Sequence, residues 1–183
     1  KGEAYIFASD YRASNARSAK QISMVRSRDL HSWSEPRTVF VGEKGETIYN
    51  LGVCRGPDRF VLLYETDDPQ FPPFTFKYCA STDLENWKRI PDALYGTKKY
   101  VGGPALYYEG DWYYTLYLES LGDGRYETRI TRSKDLVDWQ DAPVDRPFLT
   151  FDTSRGKMPL HPPDAVEINA SDAELCYFGG KTI

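Results

Sequence analysis

Ser27-Arg28-Asp29-Leu30-His31-Ser32-Trp33, Ser81-Thr82-Asp83-Leu84-Glu85-Asn86-Trp87 and Ser133-Lys134-Asp135-Leu136-Val137-Asp138-Trp139 are three copies of one pattern, S-x-D-L-x-x-W. A proline follows each copy, at Pro36, Pro91 and Pro143. Recurrence at a period of about 50 residues marks a repeat architecture, in which one supersecondary unit is stacked on the next.

Working outward from each box gives the unit. Two strand-like runs precede every copy: 4–8 and 20–25, then 60–64 and 74–80, then 112–118 and 126–131. They are rich in β-branched and aromatic residues and bounded by Gly, Asp and Pro. A further run precedes the later pairs, at 49–54 and 104–108, and turn residues follow it at Gly56-Pro57-Asp58 and Glu109-Gly110-Asp111. Such turns join antiparallel neighbours. A last short strand follows each tryptophan, as at Arg37-Thr38-Val39-Phe40. Four antiparallel strands per repeat describe a β-propeller blade. The sequence thus predicts an all-β propeller with blades at 1–42, 43–95, 96–147 and an incomplete 148–183, about three and a half in all. That number cannot close a ring, so the rest of the propeller is expected outside this sequence.

Composition narrows the function. The chain of 183 residues has a formal net charge of −4 and no basic run, which argues against a nucleic-acid partner. Its apolar runs are of strand length, so no membrane span is expected. Aromatic residues make up 15% of the chain, which suits strands and equally a sugar-binding surface. Cys54, Cys79 and Cys176 lack metal-ligand spacing and read as small buried side chains. No cofactor or metal is expected, and nothing in the sequence assigns a compartment or an oligomeric state.

Strand alternation locates the chemistry. The boxes fall at one end of each sheet, where their aspartates are expected to accept hydrogen bonds from turn amides and their leucines and tryptophans to bury against a neighbouring blade. Identical residues in every blade suit a structural role. The starts of first strands and the ends of second strands meet at the other end, around the funnel mouth. The second-strand ends carry Ser9-Asp10, Glu65 and Glu119; the first-strand starts carry Tyr49-Asn50, Gly102-Gly103 and Ser171-Asp172-Ala173-Glu174. Carboxylates converging on one funnel push one another's pKa values apart, as acid–base catalysis needs.

The box, together with Gly103-Pro104-Ala105-Leu106-Tyr107-Tyr108-Glu109-Gly110-Asp111-Trp112-Tyr113-Tyr114, resembles the five-bladed β-propeller glycosidases: arabinanases and β-xylosidases, invertase-like fructosidases and neoagarobiose hydrolases. The resemblance covers essentially the whole chain and implies five blades when complete. It implies a glycoside hydrolase acting on plant or algal-type polysaccharides or their oligosaccharides, as in bacterial-type polysaccharide degradation, with three carboxylates around the funnel. In the arabinanase-like pattern an acidic residue precedes Gly-Pro at a first-strand start; here that place is Gly102-Gly103-Pro104. Asp67-Asp68-Pro69 is similar to the Arg-Asp-Pro motif of invertases but follows a second strand instead of opening a first, and is set aside.

The expected catalytic groups are Glu119 as general acid or its partner, Asp172 as base or orienting carboxylate, and Glu65 third. Asp10, Asn50, Glu174, Arg125, His161 and Phe71 are expected to shape the sugar pocket, with Phe71 offering a stacking ring. Other readings stay open. One is a propeller that binds carbohydrate without cleaving it, consistent with Gly102. Another is a glycoside phosphorylase using Arg12 or Arg125, and a third is a protein-interaction propeller.

Overall fold

A computed structural model of the chain describes residues 2–11, 19–72, 74–122, 125–150, 168–170, 172–175, 177–178 and 181–182. Three antiparallel meanders follow one another along it. The first sheet is β1 (Ala4–Asp10), β2 (Gln21–Ser27) and β3 (Arg37–Val41). The second is β4 (Ile48–Arg55), β5 (Phe60–Thr66), β6 (Thr75–Ser81) and β7 (Lys88–Tyr95). The third is β8 (Val101–Glu109), β9 (Trp112–Gly122), β10 (Arg125–Ser133) and β11 (Trp139–Asp141), with β12 (Ile168–Ala170) parallel to β10. Further on, β13 (Tyr177–Phe178) pairs antiparallel with β14 (Lys181–Thr182). The fold is all-β and is that of a partial propeller. Among the described residues no helix is long and apolar enough to cross a membrane.

Period-2 alternation explains the stacking. Along β5, Val61 and Leu63 enter a core shared with Tyr113, Tyr117, Val101 and Leu106 of the third sheet. Their neighbours Leu62 and Tyr64 enter a second core with Ile22, Met24, Val39 and Phe40 of the first sheet. The second sheet is therefore apolar on both faces. The inner strands β4 and β8 approach closely at Gly52, where an added Cβ would lie 3.2 Å from the Leu106 amide nitrogen. The β8–β9 hairpin turns through Gly110 and Asp111, with φ of 54° and 67°, the left-handed pair that a tight hairpin requires.

The repeated box is a side-chain-capped turn. Asp83 Oδ1 accepts from the amides of Glu85 at 2.9 Å and Asn86 at 2.8 Å. Asp29 and Asp135 repeat this with the amides of residues 31 and 32 and of 137 and 138. The serine hydroxyl accepts the leucine amide in all three copies. Each leucine is left-handed, with φ of 65°, 65° and 69° at Leu30, Leu84 and Leu136. The turn amides hold the aspartates below the usual carboxylate range, Asp29 at about 2.

The second and third box tryptophans pack backwards onto the preceding sheet. Trp87 meets Phe7 at 5.7 Å between ring centroids, and Trp139 meets Tyr78 and Tyr95, each at 5.3 Å. The expected burial holds for Trp87 and Leu136, which are buried, and in part for Leu84 and Trp139, which are half-buried. It does not hold in the first, where Leu30 is 66% and Trp33 38% exposed. No sheet precedes the first among the described residues, so these side chains have nothing to pack against. Cys54 and Cys79 are free thiols pushed up to about 12 by burial, which makes them inert apolar groups. Cys176 lies outside the described residues.

Candidate active site

Ladder register settles which second-strand ends correspond. Ser23, Lys77 and Arg129 each stand four residues before their box serine, and they pair with Ala8, Tyr64 and Tyr117. One position on, Ser9, Glu65 and Leu118 are equivalent; one further, Asp10, Thr66 and Glu119 are. The sequence reading grouped Asp10, Glu65 and Glu119 together. The register keeps Asp10 with Glu119 and sets Glu65 one residue off, and a one-residue step in a strand turns the side chain to the other face.

Glu65 points forward to the inner strand of the third sheet. Its Oε2 accepts the Gly103 amide at 3.0 Å and Asn50 Nδ2 at 3.0 Å. The residue is only 4% exposed. Burial raises its carboxyl above the usual carboxylate range, the two donors pull the other way, and the Asp172 charge adds to the rise. With both donors on Oε2, a proton on this acid belongs on Oε1.

Asp172 reaches the same point from the C-terminal segment. Gly103 has φ of +52°, and a Cβ there would collide with Asp172 Oδ1, so the carboxylate lies over the bare Cα of this glycine. Asp172 is itself left-handed, with φ of 58°, and is solvent-exposed. The path to it is set by β12, whose Ala170 carbonyl accepts Thr128 Oγ1 at 2.6 Å. A Cβ on Gly102 would lie 3.3 Å from the Leu118 side chain and 3.6 Å from the Tyr100 hydroxyl. Tyr100 completes the group, its phenol raised by burial and by the charges of Glu65, Tyr126 and Asp172.

Glu119 does not join this cluster. It points back towards the outer strands, 3.2 Å from Arg129 Nε and 3.6 Å from Lys99 Nζ. That network continues through Arg129 to Glu127 and through Lys99 to Asp141 and Tyr117. Asp10 is buried in the first sheet, where its Oδ2 accepts Gln21 Nε2 and Ser23 Oγ.

The remaining expected residues scatter. Asn50 is in the cluster as a donor to Glu65. Glu174 and Arg125 are exposed, two residues beyond Asp172 and at the start of β10 respectively. Phe71 is half-exposed in the β5–β6 loop, where its amide donates to the Asp68 carbonyl at 3.0 Å. His161, Arg12 and Ser171 lie outside the described residues. Asp67 accepts the Thr47 amide at 2.6 Å and the Tyr49 hydroxyl at 3.1 Å, and so fastens the start of β4.

Sequence reading missed Tyr100, Phe74 and Lys77. Lys77 is 2% exposed, bonded to Glu46, 2.6 Å from Asp68 and 3.7 Å from Glu43. Those three carboxylates are the group among the described residues close enough to share a cation, and the Lys77 ammonium sits among them.

No protein-family model matches the sequence, and no curated protein matches it significantly. Solved structures do share its fold. The GH32 beta-fructofuranosidase BmSUC1 of Bombyx mori superposes with a TM-score of 0.68 at 20% identity, over 100% of this chain and 38% of that one. Sucrose-6-phosphate hydrolase of Lactobacillus gasseri gives 0.61 at 16% identity, over 76% and 31%. The GH43B enzyme of the Bacteroides ovatus xyloglucan locus gives 0.58 at 21%, over 82% and 28%. The chain spans well under half the length of each. Its fold is the propeller of these glycoside hydrolases.

Proposed function

We propose that the cluster around Gly103 is the working site of a glycoside hydrolase, with Glu65 as general acid and Asp172 as the second carboxylate. The observation that carries this is the convergence of one buried and one exposed carboxylate on the same bare glycine. Burial raises the Glu65 carboxyl above the usual carboxylate range, which suits it to the part of the acid. Glu65, neutral at a pH where an ordinary carboxylate is charged, would protonate the glycosidic oxygen from Oε1 as the bond breaks. Asp172, which is solvent-exposed, would activate water or attack the sugar carbon. Asn50 and the Gly103 amide hold the acid in place throughout. The glycosidase fold supports the substrate class, and the substitution at Gly102 supports a relocated acid: where the related pattern has its own carboxylate, Glu65 arrives from the preceding sheet.

The same glycine pair also favours a second reading, a propeller that binds carbohydrate without cleaving it. Fructo-, arabino- and xylo-oligosaccharides incubated with the complete protein separate the two. Release of reducing sugar supports the hydrolase. Calorimetric binding without release supports the second reading, and neither binding nor release contradicts both.

A further inference from the structure

Three aromatic rings lead away from the carboxylate pair along the funnel mouth. Tyr100 stands beside it, its hydroxyl next to Gly102. Phe74 lies 5.5 Å from Tyr100 and Tyr49 lies 4.8 Å from Phe74, centroid to centroid. Tyr49 and Tyr100 sit at the mouth ends of the inner strands β4 and β8, and Phe74 sits just ahead of β6. We propose that Tyr49, Phe74 and Tyr100 form a stacking path for sugar units beyond the cleaved bond, so that the site takes an oligosaccharide chain in preference to a disaccharide. The inference rests on the carbohydrate reading above and extends it to chain length.

Exposure sets these rings apart from the core aromatics. Tyr64, Phe76 and Tyr78 are fully buried, whereas Tyr49, Phe74 and Tyr100 are each half-exposed at the mouth. Their edges carry polar groups: the Tyr49 hydroxyl donates to Asp67 at 3.1 Å, and the Tyr100 hydroxyl lies on the carboxylate side. Apolar ring faces bordered by hydrogen-bonding groups match a sugar, which has C–H faces and hydroxyl edges. A purely apolar ligand would leave those polar groups unanswered, and the net charge of −4 disfavours a polyanion. Successive rings are inclined at 59° and 60° to each other. Asp67 acts as a positioning residue, since it fixes both the Tyr49 hydroxyl and the Thr47 amide.

The test is kcat/KM of the complete protein on fructo-, arabino- and xylo-oligosaccharides of two to five units, for the parent and for Phe74→Ala, Phe74→Leu and Tyr49→Leu. The parent is expected to favour four or five units over two. Loss of one stacking ring should cut that preference, the ratio of the two kcat/KM values, by about three- to tenfold. Phe74→Leu keeps most of the apolar volume and guards against misfolding, with thermal melting recorded for every variant. A parent that cleaves disaccharides as well as pentasaccharides overturns the inference and leaves the hydrolase reading standing. So does a preference unchanged in folded Phe74→Leu and Tyr49→Leu. A parent that cleaves and binds none of the series overturns the carbohydrate reading and this inference with it.

Discussion

The Glu65 carboxylate accepts the Gly103 amide at 3.0 Å and so ties the end of a second strand to the start of the next sheet's inner strand. This bond crosses a sheet boundary at the mouth, and both partners are constrained by it. Glu65 is turned forward by strand alternation, and Gly103 can be nothing larger because Asp172 covers it.

Gly103→Ala should therefore disrupt the site. The new Cβ would meet Asp172 Oδ1, and a φ of +52° adds about 1–2 kcal/mol of left-handed strain. A lowered melting temperature with turnover lost is the expected result. An alanine variant that melts and turns over like the parent would show that the two chains do not approach as described.

Glu65→Gln should make the protein more stable at neutral pH. The folded-state pKa is raised, mainly by burial, so the folded protein holds this proton more tightly than the unfolded chain. Its contribution is present below the ordinary carboxylate pKa and is lost as pH rises through the raised value. Glutamine keeps an acceptor for Asn50 and Gly103 without the buried charge. Denaturant melts across pH 4 to 8, as a rough span bracketing that window, should show the variant gaining on the parent as pH rises. A gap that does not widen with pH would place the Glu65 titration elsewhere.

The boxes make a prediction of opposite sign. Asp29 and Asp135 are depressed by their turn amides, so their contribution is present above the ordinary aspartate pKa and is lost as pH falls through the depressed values. Stability should drop on acidification, and the loss should be smaller in Asp29→Asn. Within the same turn, Leu30→Gly relieves a left-handed backbone at an exposed residue and should be neutral to about 1 kcal/mol stabilising. Leu136→Gly, at a residue 3% exposed, loses core packing and should destabilise. Equal effects from the two would mean that packing does not distinguish the copies.

Lys77→Met should be among the most damaging substitutions. It leaves Glu46 and Asp68, which are 1% and 5% exposed, without their cation, at a cost of about 3–5 kcal/mol. Chemical denaturation measures it directly. A loss below about 1 kcal/mol would mean that the two carboxyls are satisfied without the ammonium.

The propeller was legible in the sequence because the box is a local device. One aspartate reaching amides two and three residues ahead writes itself as S-x-D-L-x-x-W wherever it is used. Funnel placement followed from strand alternation, and it led to Glu65, Asn50 and Asp172. The difference in surroundings between Glu65 and Glu119 was not legible. It depends on a one-residue register difference that only the hydrogen-bond ladders reveal, and the bulge between Gly102 and Ala105 hides it in β8. The consecutive glycines 102 and 103 ahead of an inner strand were a usable sign of close backbone approach. Lys77 gave no signal, because its partners Glu46 and Asp68 come from two different loops, β3–β4 and β5–β6.

The central claim is that Glu65 and Asp172, not Glu119, do the chemistry. It is tested most directly by kcat/KM of Glu65→Gln, Asp172→Asn and Glu119→Gln on one oligosaccharide that the complete parent protein cleaves. Losses of about 10²–10⁴ in the first two, with Glu119→Gln within about tenfold of the parent, are predicted. Full turnover in Glu65→Gln, or a collapse confined to Glu119→Gln, would contradict the account.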